Sequence, residues 1–305
     1  MVGQLGSQQP DARPVVFRCT DGYALHGSCR VGARQRRRGG TVIVCPALFV
    51  RQRFYQAFAA HLAQQGFDTI TFANRGMGES LAGETRRWRH RLRDWGEVDL
   101  PAVIAHVKDA RPSQRLFVVG HSMGGQLVAL SDSVHRLDGI VTVAATAAWW
   151  GHWPFPANLG ILAWYRLATL LSQGLRVFPA ARLGLGPNVS ADLVRDWVTW
   201  GQHRKYLGGP FGLCPQMATY RGRLLVYSFA DDEFGCQAAV AALHRHYRQA
   251  DVTQRHVHPR QIGAPRIGHF GYFRSLVGPP LWQQTIEWLD QQPLQRPASE
   301  IDRDG

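Results

Sequence analysis

Short apolar runs alternate with helically spaced apolar positions along most of the chain. PVVFRC and ALHGSCRV flank Asp21-Gly22, a dipeptide that tolerates positive φ, so residues 14–31 predict an opening β-hairpin. TVIVCPALF reads as a strand ending at Pro46, and Phe54, Phe58 and Leu62 then recur at helical spacing up to Gly66. The pattern repeats: FDTITFANRG as strand and turn, DLPAVIAHVKDA as helix, RLFVVG as strand, GQLVALSDSV as helix and LDGIVTVAATA as strand. Such alternation predicts an α/β fold with a mainly parallel sheet covered by helices on both faces.

From about residue 147 to residue 216 the alternation stops, and six of the ten tryptophans fall there: Trp149, Trp150, Trp153, Trp164, Trp197 and Trp200. This stretch reads as a mostly helical insertion whose aromatics form a small core of their own, with Trp149, Trp150 and Trp153 candidates for lining a pocket if it is a lid. RLLVYSFADDEF resumes as a strand, GCQAAVAALHRHYRQA as a helix, DVTQRHVHP as a strand and PPLWQQTIEWLDQQ as a closing helix. The expected organisation is therefore a core in two parts, residues 1–146 and 217–305, around an insertion at 147–216, with a disordered polar tail from about residue 294.

Composition narrows the class. With 305 residues and 45% hydrophobic content the chain buries a full core, and one large domain with an insertion suits it. The N-terminus shows no basic start followed by an apolar core, and no apolar run is long enough to span a bilayer, so a cytoplasmic protein is expected. The five cysteines, Cys19, Cys29, Cys45, Cys214 and Cys236, form no C-x-x-C pair and no metal-ligand spacing; reduced thiols, no metal and no cofactor are expected. A formal charge of +13 rests almost wholly on arginine, concentrated at Arg34, Arg36, Arg37 and Arg38 and in the run RRWRHRLR from Arg86 to Arg93. No nucleic-acid motif accompanies either cluster, which leaves solvated faces as the main reading and an anionic membrane surface as a secondary one.

The candidate chemistry sits at Gly120-His121-Ser122-Met123-Gly124. It lies between an apolar strand and a helical run, the context in which a G-x-S-x-G segment forms a sharp turn that exposes the serine hydroxyl. A serine needs a base within reach and a carboxylate behind that base. His269, in the glycine-flanked run IGHFGYF, follows the last strand, and Asp231 and Asp232 follow the strand after the insertion, giving the chain order Ser, Asp, His. Strand-to-turn register favours Asp232 as the acid, with Asp231 the alternative. Two backbone amides must receive the developing oxyanion: Met123 supplies one, and Ala47 or Leu48 the other, since Pro46 has no N–H.

At these residues the chain resembles the α/β-hydrolase superfamily, in particular a bacterial branch related to the serine aminopeptidase-like and monoglyceride-lipase-like hydrolases. NRGMGES, DWGEVDLPAVI, GHSMGGQ, FADDEF and IGHFGYF carry the likeness, and FPAARLGLGPNVSADLVRDWVTW is similar to that branch's insertion. The resemblance implies an eight-stranded sheet with a lid and hydrolysis through an acyl-enzyme on Ser122. The expected substrate is a small molecule with an apolar acyl group, joined as an ester or thioester. Acyl transfer, amide cleavage and noncatalytic ligand binding on the same fold are the alternatives.

Overall fold

Strand ranges follow the apolar runs closely. The structure, a computed structural model, describes residues 11–81, 89–208 and 215–291; the expected tail from about residue 294 lies outside them. Among the described residues the strands are β1 (Arg13–Arg18), β2 (Ala24–Arg30), β3 (Gly40–Cys45), β4 (Asp68–Phe72), β5 (Arg115–His121), β6 (Gly139–Val143), β7 (Val177–Phe178), β8 (Val189–Ser190), β9 (Arg223–Phe229) and β10 (Asp251–Val257). The helices are α1 (Gln56–Gln64), α2 (Leu92–Asp94), α3 (Leu100–Ala110), α4 (Met123–Leu127), α5 (Ala157–Gly174), α6 (Ala191–Gln202), α7 (Pro215–Thr219), α8 (Gln237–His244) and α9 (Pro279–Asp290).

Eight strands form one sheet in the order β1-β2-β4-β3-β5-β6-β9-β10. The β1–β2 and β2–β4 pairs are antiparallel and every pair from β4 to β10 is parallel. Helices cover both faces, so the central strands are buried throughout: every residue of β3 is buried, and successive residues feed opposite cores. Val42, Val44, Phe117 and Val119 join one cluster, Ile43, Leu116 and Val118 the other. From β3 the chain moves outward to β4 and then returns to the other side of β3 as β5. In open α/β sheets the crevice beyond the carboxyl ends of such a strand pair is the place where ligands bind. Pro46 to Leu48 and Ser122 both lie there, directly after β3 and β5.

One local reading is corrected. The helix after Ser122 stops at Leu127 and continues as short 3-10 turns, which break at Ser131, where the backbone is extended and the hydroxyl accepts the Ser133 N–H at 3.3 Å. Within the insertion between β6 and β9, Val177–Phe178 and Val189–Ser190 also pair as a two-stranded antiparallel sheet between α5 and α6.

Of the two arginine clusters, Arg86 and Arg87 lie outside the described residues, and four of the others are tied to the fold. Arg38 pairs with Asp290, Arg36 donates to Gln65 Oε1 at 3.1 Å, Arg91 grips Asp196 through Nε and Nη2, and Arg93 pairs with Glu97 at 2.8 Å. The NRG turn after β4 has a similar task. Arg75, almost fully buried, donates to Asp99 at 2.6 Å and to Asp21 at 2.7 Å, joining the first hairpin, β4 and the start of α3.

Under the sheet, His244 makes the stability of the fold pH-dependent. Its Nδ1–H donates to the Val240 carbonyl at 2.7 Å and its Nε2 accepts from Thr142 at 2.8 Å, while burial lowers its pKa from 6.5 to about 4. The folded state therefore binds this proton less readily than the unfolded chain. Its contribution is complete above pH 6.5 and is lost as pH falls toward about 4, by roughly 3 kcal/mol in total. Urea unfolding at stepped pH is expected to show this loss, and His244→Asn to flatten the slope over that window.

Candidate active site

Ser122 has φ 50° and ψ −116°, a conformation that L-residues adopt only where surrounding structure enforces it. Its N–H donates to the Val143 carbonyl at 2.8 Å, and its own carbonyl accepts the amides of Gly125 and Gln126, so the turn is clamped between β6 and the first turn of α4. The flanking glycines are there for close approach. A Cβ on Gly120 would sit 2.5 Å from the Gly125 Cα, and one on Gly124 only 2.3 Å from the Cys45 carbonyl oxygen.

The two aspartates divide the work of holding the histidine. The His269 Nδ1–H donates to Asp232 Oδ2 at 2.9 Å and Oδ1 at 3.1 Å, with the carboxylate shielded from solvent. In the neutral ring this leaves the Nε2 lone pair open to a proton. Asp231 instead accepts the backbone N–H groups of Ile267 at 2.8 Å and Gly268 at 3.1 Å, fixing the loop that carries the histidine. The Ser122 hydroxyl makes no hydrogen bond to His269 among the described residues. Hydroxyl–imidazole bonds of this type commonly tighten only when substrate is bound.

Sequence reading missed the group that connects these parts. The Ala47 N–H donates to Tyr55 Oη at 2.8 Å, Tyr55 Oη–H donates to His121 Nδ1 at 2.9 Å, and the His121 Nε2–H donates to the His269 carbonyl at 2.9 Å. A carbonyl can only accept, which fixes the proton on His121 Nε2 and makes Nδ1 the acceptor for tyrosine. Burial holds His121 neutral by pushing its pKa well below 6.5, and raises that of Tyr55. The relay ties the loop after β3 to the histidine loop through the residue preceding Ser122. Its only sequence signal is a histidine closing a strand, RLFVVGH, whose preceding residues from Leu116 are apolar or glycine.

The relay also separates the two oxyanion candidates on the β3 loop. Ala47 has given its N–H to Tyr55, whereas the amides of Leu48 and Met123 have no acceptor among the described residues. The insertion packs on this loop, with Trp197 and Phe178 ring centroids 6.1 and 6.4 Å from that of Phe49. Trp153 is buried and its indole N–H donates to the Glu233 carbonyl at 3.3 Å, beside the acid loop. Trp149 and Trp150 are half-buried and pack on each other at 5.7 Å. Phe234 is 60% exposed with its ring centroid 5.5 Å from that of His269. Among the described residues no cluster of three or more His, Cys, Asp or Glu side chains forms that could hold a metal ion.

A serine on a strained strand-to-helix turn, followed in chain order by an acid and a histidine that are hydrogen-bonded, at the switch point of a mostly parallel sheet, defines the α/β-hydrolase class. The chain belongs to the serine aminopeptidase S33 family, whose model matches residues 36–200, more than half of its 305 residues. A search of curated proteins found no matching sequence. Among solved structures, a soluble variant of monoglyceride lipase from Saccharomyces cerevisiae, in complex with a substrate analogue, is similar at TM-score 0.67 and 15% identity, covering 96% of this chain and 98% of that one. An esterase from Pyrococcus furiosus is similar at TM-score 0.63 and 15% identity, covering 97% of each chain. A monoacylglycerol lipase from Paleococcus ferrophilus is similar at TM-score 0.59 and 16% identity, covering 88% of this chain and 99% of that one. At such identities the likeness carries the fold alone. No helix among the described residues is long and apolar enough to cross a membrane.

Proposed function

We propose that the protein hydrolyses a carboxylic ester or thioester through an acyl-enzyme on Ser122. Ser122 Oγ attacks the acyl carbon while His269 Nε2 takes its proton, and the amides of Met123 and Leu48 receive the negative charge that develops on the acyl oxygen. His269 returns the proton to the departing alkoxide or thiolate; the same nitrogen then takes a proton from the water that attacks the acyl carbon and passes it to Ser122 Oγ as the acyl–oxygen bond breaks and the acid leaves. Asp232 keeps the proton of the imidazole on Nδ1 throughout. The observation that carries this reading is the hydrogen bond of His269 to Asp232 at 2.9 Å beside the strained Ser122 turn. In this reading Trp149, Trp150 and Trp153, at the start of the insertion, contact the acyl group, and the ester and glyceride names of the similar structures support the bond class.

A series of p-nitrophenyl esters from acetyl to lauroyl tests the proposal. The expected result is turnover with a pre-steady-state burst, strongest where the acyl chain is apolar; a folded protein that turns over no ester or thioester would overturn it.

The Tyr55–His121 relay is expected to act on the reaction through position. Tyr55→Phe leaves the Ala47 N–H and His121 Nδ1 unpaired, at a cost of about 1–3 kcal/mol in stability. It should also lower kcat by up to about 100-fold through misplacement of the oxyanion loop and His269, with KM little changed. Urea midpoints and steady-state kinetics on one ester measure both effects.

A further inference from the structure

The insertion carries an apolar face that is left exposed among the described residues. In α5, Tyr165, Ala168 and Ser172 are buried, and the helix packs against α6. On the other side Leu159, Leu167 and Leu170 are 50%, 48% and 67% exposed. At 3.6 residues per turn these three leucines, with Ala163 between them, fall within roughly 80° of arc, so they form one stripe. Phe155 precedes the stripe at 78% exposure, and Leu175, Leu183 and Leu185 follow it. Elsewhere among the described residues the large exposed apolar side chains are Val16, Val31, Phe234 and Leu276, scattered singly as is ordinary for a soluble surface.

Charge on this segment has one sign. Residues 155–185 contain no aspartate or glutamate, but they contain Arg166, Arg176 and Arg182, all exposed. None of the three has an acidic partner among the described residues, in contrast to Arg91 and Arg93. At the C-terminal end of α5, Leu175 and Arg176 border a cavity of about 240 Å³ that Arg89 and Arg195 also line. Its one carboxylate, Asp192, is engaged by Arg195 at 2.6 Å. Three guanidinium groups against one carboxylate leave positive charge facing a space of headgroup size, and guanidinium matches phosphate geometry in paired hydrogen bonds.

We propose that this face docks on the surface of an anionic phospholipid bilayer. The leucine stripe of α5 enters the acyl boundary, Arg166, Arg176 and Arg182 meet lipid phosphates, and the cavity at the helix end takes a headgroup. An apolar helical stripe rimmed by arginine, on a chain of formal charge +13, is the pattern that lies along an anionic interface rather than crossing it. The sequence offered the run from Arg86 to Arg93 for such contact only as a secondary reading, and residues 82–88 lie outside the described ones; the surface proposed here lies on the insertion instead. The inference is independent of the catalytic reading.

The test is co-sedimentation of the full chain, carrying Ser122→Ala so that no lipid is turned over, with phosphatidylcholine vesicles lacking or containing phosphatidylglycerol. Partitioning is expected to be at least about tenfold stronger onto the anionic vesicles, and the pair Leu167→Glu and Leu170→Glu should reduce it by about tenfold or more. Both leucines are exposed, so circular dichroism and the thermal midpoint should not change. Arg176→Glu with Arg182→Glu provides a second variant and should weaken binding together with its salt dependence. Equal partitioning onto both vesicle types, or a leucine variant that binds as the parent does, would overturn the proposal. So would a parent protein that sediments as a dimer without binding vesicles and becomes monomeric on the leucine substitutions, which would assign the face to a second copy of the chain.

Discussion

Asp232→Asn is expected to lower kcat by about ten-thousandfold while leaving the fold intact, whereas Asp231→Asn should cost stability first and activity much less. The difference follows from what each carboxylate holds. Asp232 accepts the His269 Nδ1–H, and an amide nitrogen in its place donates instead, turning the ring to the tautomer with its proton on Nε2. In that form the ring is no base for Ser122. Asp231 accepts two backbone amides, so its replacement sets an NH₂ group against an N–H at Ile267 or Gly268 and costs about 1–3 kcal/mol. Ester kinetics and urea unfolding of the two variants, measured side by side, check the assignment. A larger kcat loss in Asp231→Asn would reverse it.

Gly124→Ala should damage activity and stability together. The added methyl would meet the Cys45 carbonyl oxygen at 2.3 Å and that of Pro46 at 2.7 Å, and since both are backbone atoms the loop after β3 must give way. Overpacking of this kind costs about 1–3 kcal/mol. Because the same loop carries the Leu48 amide, kcat should also fall by about 100- to 1,000-fold, the effect of losing an oxyanion donor. Gly160→Ala is the control: it lies in α5 with open space around its Cβ position and should leave kcat unchanged while raising stability slightly. Thermal midpoints and kcat for the two variants test the pair.

Much of this was legible in the sequence because it depends on period and order. Runs such as RLFVVG and TVIVC are apolar on both faces, as strands between two helical layers must be, and the order Ser122, Asp231-Asp232, His269 follows from the order of the strands that precede them. The choice between the adjacent aspartates was readable only as a preference of register; the structure adds that Asp231 has its own partners in the histidine loop. What escaped depends on pairing across long separations. Tyr55 reads as one more aromatic at the start of a helix, and nothing local says that its hydroxyl meets a ring 66 residues away. Arg91 lies in a run that reads as a solvated face, yet its partner Asp196 is 105 residues further on, within the insertion. The β7–β8 pair was missed because two-residue strands in a glycine- and proline-rich stretch leave no alternation to detect.

Placement of the leucines of α5 was similarly out of reach. Sequence shows that the helix is apolar, but which apolar positions pack on α6 and which remain outside depends on the rotation of the helix against its neighbour. Burial of Tyr165, Ala168 and Ser172 fixes that rotation and leaves the opposite side to solvent.

Mass spectrometry of the intact protein after reaction with a fluorophosphonate reads out whether Ser122 is the nucleophile. One phosphonyl adduct is expected, mapped to Ser122, absent from Ser122→Ala and formed far more slowly in His269→Ala and Asp232→Asn. An adduct that persists in folded Ser122→Ala, or a folded parent protein that takes up none, would contradict that role for Ser122.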